Sequence, residues 1–365
     1  MPSGPWRYAR RSPGSPRPAR SCRSSRTSSC GTGRPRAVAT PRPGAPGALR
    51  TAVLGGTGWL GRHVCELAAR RGHHVLAVAR RPRPHVSTHR FAELDLARAS
   101  PESIGRLLRE HRVDVVVNAT DAANATDGWA RADEDLADLN LGLVRRLLAA
   151  LGTVEGRVRL VHIGTMHEYG EVPAGTVMDE ALQPRPVTPY TRSKLAGSQA
   201  VLAATRTGAA DGLVLRVANV SGPHPSPESF PGKLVALLRE AVATGDRMPV
   251  TLGDARRDFV DVRDVAEAVL KAVESTATGQ AVNIGSGTAV DMPTLVRLFV
   301  TAAGYPAEIL DERAQEVRSL GGAWTRADIQ RAAHLLGWRP RTTLAESLRD
   351  MWWTDRAEHR PVVGR

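Results

Sequence analysis

Between Thr51 and Val64 the chain reads TAVLGGTGWLGRHV, and no other stretch restricts the fold as sharply. A short apolar run, Thr51–Leu54, is broken by Gly55, Gly58 and Gly61, after which helical spacing resumes from about Leu60 to Arg71. Glycine at these three places meets three separate demands. The turn is tight, the backbone must approach a pyrophosphate closely, and helix and strand must pack with no side chain between them. The helix that follows then aims free N–H groups at the phosphates. The segment predicts the opening unit of a dinucleotide-binding α/β fold, with Gly55, Thr57, Gly58, Trp59, Leu60 and Gly61 around the cofactor.

Downstream, strand-like and helix-like segments alternate, which predicts a parallel sheet with helices on both faces. Strands are expected at His74–Ala79, Phe91–Leu96, Val113–Asn118, Arg157–Ile163 and Gly212–Val220. Helices are expected at Pro101–His111, Glu134–Leu151, Pro189–Thr205 and Gly232–Thr244. The fold class is therefore α/β, a Rossmann-type doubly wound parallel sheet with a smaller C-terminal substrate-binding domain. The expected division gives residues 49–220 and a returning segment 258–285 to the dinucleotide-binding domain. Residues 221–257 and 286–353 go to the substrate domain, and 354–365 to a tail.

The formal charge of +13 invites a nucleic-acid reading, but it is unevenly placed. Residues 1–50 hold eleven arginines and no acidic residue, leaving only +2 for the remainder. Residues 1–48 are rich in Arg, Pro and Ser with little to bury, and are expected to be a disordered tail. It reads as a dispensable extension or as an artefact upstream of a true start near Leu49. Cys22, Cys30 and Cys65 show no metal spacing, so a cytoplasmic protein without metal or disulfide framework is expected. No nucleic-acid or membrane partner is expected.

Three further places carry cofactor signals. An NAD-specific protein usually has an acidic residue at the end of its second strand, for the ribose 2′-hydroxyl. Here Ala79 is followed by Arg80 and Arg81, a pair suited to a 2′-phosphate, so NADP(H) is preferred over NAD(H). Asp95 and Leu96 follow the third strand, where a carboxylate can accept from the adenine amino group. Asn118, Ala119 and Thr120 end the fourth strand, on the cofactor's path toward its nicotinamide.

Tyr190 and Lys194 stand four residues apart and hence on one helix face. In that arrangement the ammonium lowers the phenol pKa and lets the hydroxyl act as general acid or base, while Lys194 also holds the nicotinamide ribose. Thr165, just after a strand, supplies a hydroxyl that polarises a carbonyl.

With these pieces in place the chain resembles the extended short-chain dehydrogenase/reductase superfamily, in its nucleotide-sugar epimerase, dehydratase and reductase branch. The likeness runs from about Leu49 to Trp353. It includes GGTGWLG (Gly55–Gly61), HEYG (His167–Gly170), YTRSK (Tyr190–Lys194) and LRVANVSGP (Leu215–Pro223). Further on come GDARRDFVDVRDVAEA (Gly253–Ala268), VNIGSG (Val282–Gly287) and LLGWRPRTTLAESL (Leu335–Leu348). The resemblance implies a nucleotide-sugar substrate whose diphosphate meets Asn219 and Arg257, with Lys233 a weaker phosphate candidate. A surface ion pair of Arg257 with Asp258 or Asp261 is the competing reading. The resemblance also implies homodimers that pair the helices at 134–151 and 189–205.

The residues after Thr165 discriminate among reactions. The family's 4,6-dehydratases carry an Asp–Glu pair there, and its decarboxylases a glutamate in the second position. This chain has Met166 and His167, and methionine neither gives nor takes a proton. Two hydride readings remain. One is an NADPH-dependent reductase of a nucleotide-linked 4-keto-6-deoxyhexose, the other a 4-epimerase that keeps NAD bound. His167 is a candidate sugar contact in either. A cofactor-sensing protein without catalysis is the non-enzymatic alternative.

Overall fold

The computed structural model describes residues 47–121, 136–313 and 322–359. The 1–46 portion of the expected N-terminal tail, positions 134–135 of the helix expected at 134–151, and positions 360–365 of the expected C-terminal tail lie outside the described residues. All described elements belong to one unit, Pro41–Arg365.

The strands β1 (Arg50–Leu54), β2 (His74–Ala79), β3 (Arg90–Glu93), β4 (Val115–Asn118), β5 (Arg159–Thr165) and β6 (Asp211–Val217) build the main sheet. A seventh, Ala281–Ile284, completes it. Their spatial order is Ala281–Ile284, β6, β5, β4, β1, β2, β3, and every pairing is parallel. The order reverses between β1 and β4, and a ligand crevice opens beyond the strand ends at such a reversal. Burial on both faces explains why the central strands are nearly continuous apolar runs: Val115, Val116 and Val117 are all buried.

Helices cover both faces. Helix α1 (Trp59–Arg70) contributes Val64, Cys65 and Ala68 to one core, with the Val262–Glu274 helix beside it. On the opposite face α2 (Pro101–Glu110) packs Ile104 and Leu108, and α3 (Leu143–Leu151) packs Val144 and Leu147. Helix α4 (Pro189–Arg206) starts at a Thr188 cap with proline in its first turn. A third core gathers Leu234, Leu238, Phe299, Met351 and Trp352. Around it lie a three-stranded sheet of Asn219–Ser221, Arg256–Asp261 and Ala289–Asp291, and a pair formed by Met248–Thr251 and Leu310–Arg313.

Some expected boundaries differ. The third strand ends at Glu93 rather than Leu96, because the Asp95 backbone carbonyl and carboxylate turn the chain by accepting from Ala97, Arg98 and Ala99 amides. The helix expected at 134–151 contains a π-turn, Asp138–Gly142, before α3 begins. The expected C-terminal tail begins too early, since the last helix runs from Leu344 to Glu358.

Candidate active site

The turn after β1 has the geometry that glycine alone permits. Gly55 lies at φ +79°, and a Cβ at Gly61 would come within 2.1 Å of the Gly55 carbonyl oxygen. The Gly58 amide donates to that same oxygen at 2.9 Å. Helix α1 opens at Gly58 with no side-chain cap and no acidic residue in its first turn. Its positive N-terminal field therefore faces the cleft uncompensated by a carboxylate of its own first turn, and the fit to a pyrophosphate is good.

A cleft of about 1490 Å³ runs from this turn past the ends of β2, β4 and β5. Thr57, Trp59, Leu60, Arg80, Arg81, Asp95, Leu96, Ala119 and Thr120 line it, as do Thr165, His167, Tyr190 and Lys194. At its far side stand Asn219, Lys233 and Arg257. Two expected contacts stand behind the wall instead. Gly61 is buried where α1 meets the turn. Asn118 is also buried, its amide nitrogen on His162 Nδ1 at 3.1 Å and its oxygen accepting from the Thr120 amide and hydroxyl. Asn118 thus sets the position of Thr120.

At the adenosine end, Arg80 and Arg81 are joined by Arg83 and Arg98, two arginines the sequence reading did not single out. Arg80, Arg81, Arg83 and Arg98 are all exposed. The Asp95 Oδ1 is occupied by the Ala97 amide at 3.1 Å, an Asx turn that fixes the carboxylate beside them.

At the catalytic end the polar groups are buried. Thr165 closes β5 and caps the short 3₁₀ turn Met166–Tyr169, its hydroxyl oxygen accepting from the His167 amide at 3.3 Å. Glu168 Oε1 accepts from the Thr165 amide at 3.0 Å and from the Ser198 hydroxyl at 2.8 Å, while Oε2 pairs with Arg216 Nε at 2.9 Å. The Arg216 guanidinium stacks over the Tyr169 ring, 4.6 Å from its centroid. Ser198 lies one turn beyond Lys194 on α4, so one carboxylate fastens the threonine to the helix that carries Tyr190. The π-turn adds a second tie: Asn140 donates to the Ser193 hydroxyl, which donates to the Tyr190 carbonyl. Sequence reading missed Glu168 and Asn140. Thr165-x-x-Glu168 is a capping-box pattern that could have revealed the former; a π-turn has no such signature.

One expectation is corrected. Lys194 was expected to lower the Tyr190 phenol pKa, but burial, then the Asp121 carboxylate, then Glu168 push it well above the ordinary phenol range. The Lys194 ammonium donates to the Ile163 carbonyl at 2.9 Å, and the Tyr190 hydroxyl donates to Asp121 at 3.1 and 3.2 Å.

On the substrate side His167 Nε2 lies 3.4 Å from Asn219 Oδ1, and Asn219 Nδ2 donates to the Asp258 carbonyl at 3.2 Å. Arg257 is buried and donates to the Gly322 carbonyl, and burial lowers its pKa to about 10. Its suggested ion-pair partners are otherwise engaged. Asp258 accepts from the Ser286, Gly287 and Ala327 amides and the Ser286 hydroxyl; Asp261 pairs with Arg263. The segment leading to this side is anchored on α1, since the Pro223 carbonyl accepts from Trp59 Nε1 at 2.8 Å and meets His63 Nε2 at 3.1 Å. Among the described residues no helix is long and apolar enough to cross a membrane.

Residues 51–285 match the NAD dependent epimerase/dehydratase family. A dTDP-6-deoxy-L-talose 4-dehydrogenase (NAD(P)(+)) of Kitasatospora kifunensis is 37% identical over 305 residues, 83% of this chain and 94% of that protein. A GDP-6-deoxy-D-mannose reductase of Pseudomonas aeruginosa is 28% identical over 309 residues, 82% and 95% of the two chains. The solved structure of a Thermus thermophilus UDP-glucose 4-epimerase complexed with NAD is 28% identical, covers 84% of this chain and 99% of its own, and superposes with a TM-score of 0.73. The glycine turn, the reversal in strand order and the Tyr190–Lys194 helix thus belong to an NAD(P)-dependent enzyme, a member of the NAD-dependent epimerase/dehydratase family of extended short-chain dehydrogenases/reductases.

Proposed function

We propose that the protein is an NADPH-dependent reductase of the 4-keto group of a nucleotide-linked 4-keto-6-deoxyhexose, with a TDP sugar the first substrate to try. The observation that carries this reading is the turn after Thr165. Met166 is buried, His167 faces Asn219, and the carboxyl group that follows, Glu168, is fully buried against Arg216. Elimination of water needs an acid and a base open to the sugar, and this turn offers no carboxyl group to it. Hydride chemistry at C4 needs only the hydroxyls of Tyr190 and Thr165, which line the cleft.

When bound, the reduced nicotinamide supplies hydride. The amides of the Gly55–Gly61 turn and the α1 N-terminus hold the pyrophosphate, and Arg80 and Arg81 take the 2′-phosphate. Tyr190, held protonated, gives its proton to the developing alkoxide at O4. The Thr165 hydroxyl, fixed by its capping turn, hydrogen-bonds the same oxygen. Lys194 fixes the end of β5 through the Ile163 carbonyl and holds the nicotinamide ribose. Arg257 and Asn219 orient the nucleotide diphosphate, with Lys233 beside them.

Relatives of both kinds, a 4-dehydrogenase and a 4-epimerase, keep one competing reading in play. An epimerase retains NAD and interconverts 4-epimers without net redox change. Purified protein offered a TDP-4-keto-6-deoxyhexose with NADPH, and separately with NADH, decides. Consumption of NADPH matched by formation of a 4-hydroxy sugar supports reduction; co-purified NAD with epimer interconversion overturns it.

A further inference from the structure

We infer that Trp59 is a positioning residue for hydride transfer: its indole N–H, donated to the Pro223 carbonyl, fixes the spacing between the cofactor half and the nucleotide-sugar half of the site. This rests on the reading of the cleft as two such halves. Trp59 is the first residue of α1, whose N-terminus faces the pyrophosphate position, and it lines the cleft itself. Pro223 stands 164 positions away, just after the Asn219–Ser221 strand. It heads the segment that brings Glu228, Ser229, Phe230 and Lys233 to the cleft. A single bond of 2.8 Å therefore joins the two halves.

The turn around Pro223 needs holding. His224 has a left-handed backbone, φ +55°, which a residue with a Cβ keeps only where its neighbours fasten it. Three side chains do so. Trp59 and His63, one turn apart on α1, both aim a ring nitrogen at the Pro223 carbonyl, at 2.8 and 3.1 Å. A carbonyl only accepts, so His63 Nε2 carries the proton, and burial keeps the ring neutral by lowering its pKa to about 4. Glu358, at the end of the last helix, places Oε1 2.8 Å from His224 Nδ1 and 3.7 Å from Arg62 Nη1 of α1. Of the two α1 donors only Trp59 also lines the cleft.

Beyond the turn the segment is stiff. The Ser226 carbonyl accepts from the Ser229 amide at 2.9 Å and from its hydroxyl at 2.6 Å. Ser229 Oγ in turn accepts from the Gly232 amide at 3.1 Å, capping the Phe230–Thr244 helix. A stiff segment takes its position from its anchor, and here the anchor is the helix that holds the cofactor. In the proposed reduction hydride leaves the nicotinamide ring with its electron pair and forms the new C–H bond at the sugar C4, while Tyr190 protonates O4. Such a transfer is sensitive to placement, an error of about 1 Å costing about 100-fold.

The test removes the N–H alone. β-(3-Benzothienyl)alanine placed at position 59 of the full-length protein keeps the bicyclic shape and lacks the donor; Trp59→Phe is its genetic counterpart. Hydride transfer, read as single-turnover loss of NADPH absorbance with a TDP-4-keto-6-deoxyhexose, should slow about tenfold. The Kd of NADPH and that of TDP, each titrated alone, should stay within about twofold of wild type, while amide exchange across residues 226–233 quickens about tenfold. An unchanged transfer rate overturns the inference. So does slowing matched by an equal loss of affinity for NADPH or TDP, the result of a merely structural role. A wild-type protein that turns over no keto sugar overturns the reductase reading instead. Amide exchange then decides the tie, quickened exchange sustaining it and unchanged exchange overturning it.

Discussion

Where Tyr190 and Lys194 sit, polar groups are buried and tied to one another; where β2 stops, Arg80, Arg81 and Arg83 stand in solvent, with Arg98 and a single turn-bound Asp95 beside them. Reacting atoms need fixed distances, and burial with saturated hydrogen bonding supplies them. Discriminating one cofactor from another needs only net charge near a phosphate, and exposed guanidiniums supply that without a rigid frame. Errors at the two ends should therefore look different. At the catalytic end they remove turnover or stability, and at the adenosine end they change preference and respond to salt.

The sharpest break of this contrast is Tyr190→Phe, which should lower kcat by about 10²–10⁴-fold. Cofactor binding, followed by nicotinamide fluorescence, should stay near wild type. Next, Glu168→Ala strands the buried Arg216 and should cost about 3–5 kcal/mol in urea unfolding. A loss under about 1 kcal/mol would show that the buried pair is not what holds this end together. Arg80→Ala with Arg81→Ala should raise KM for NADPH about 10- to 100-fold, leaving KM for NADH and Tm nearly unchanged. Raising salt should weaken NADPH binding in the wild type and lose most of that effect in the double variant.

A separate, pH-dependent effect is on the acid limb of stability. Burial lowers His162 to about 3 and His63 to about 4, so both stay neutral in the folded protein while the unfolded chain takes up protons. Stability is complete above the ordinary histidine value and falls as the pH drops below about 6.5, by about 1.4 kcal/mol per pH unit for each residue. His162→Asn should make the slope between about pH 6 and 4 shallower by that amount, measured by denaturant midpoints.

The same contrast governs what the amino-acid sequence makes legible. The glycine turn, the parallel sheet and the Tyr190–Lys194 spacing can be read there because each is a local pattern with one dominant geometric solution. The sequence pointed to Thr165, Asn219, Lys233 and Arg257, and the fold brings them to one cleft although they are far apart along the chain. What escaped was long-range pairing. That Glu168 would face Arg216, that Asp121 would meet a phenol 69 positions away, and that Asn140 would reach Ser193 depend on how strands and helices stack. The mistaken expectation for the phenol has the same origin, since the neighbour four residues along the helix was visible and the one across the sheet was not.

One oxygen atom, Glu168 Oε1, receives both the Thr165 amide and the Ser198 hydroxyl. Strand end and helix are thus referenced to a common point and cannot drift apart separately. Ordinary repacking of the surrounding aliphatic layer, as at Leu195 or Val201, leaves that gauge in place, whereas a change of one carboxylate resets it. Sequence drift in the core can accordingly be broad while the spacing of the two hydroxyls stays narrow.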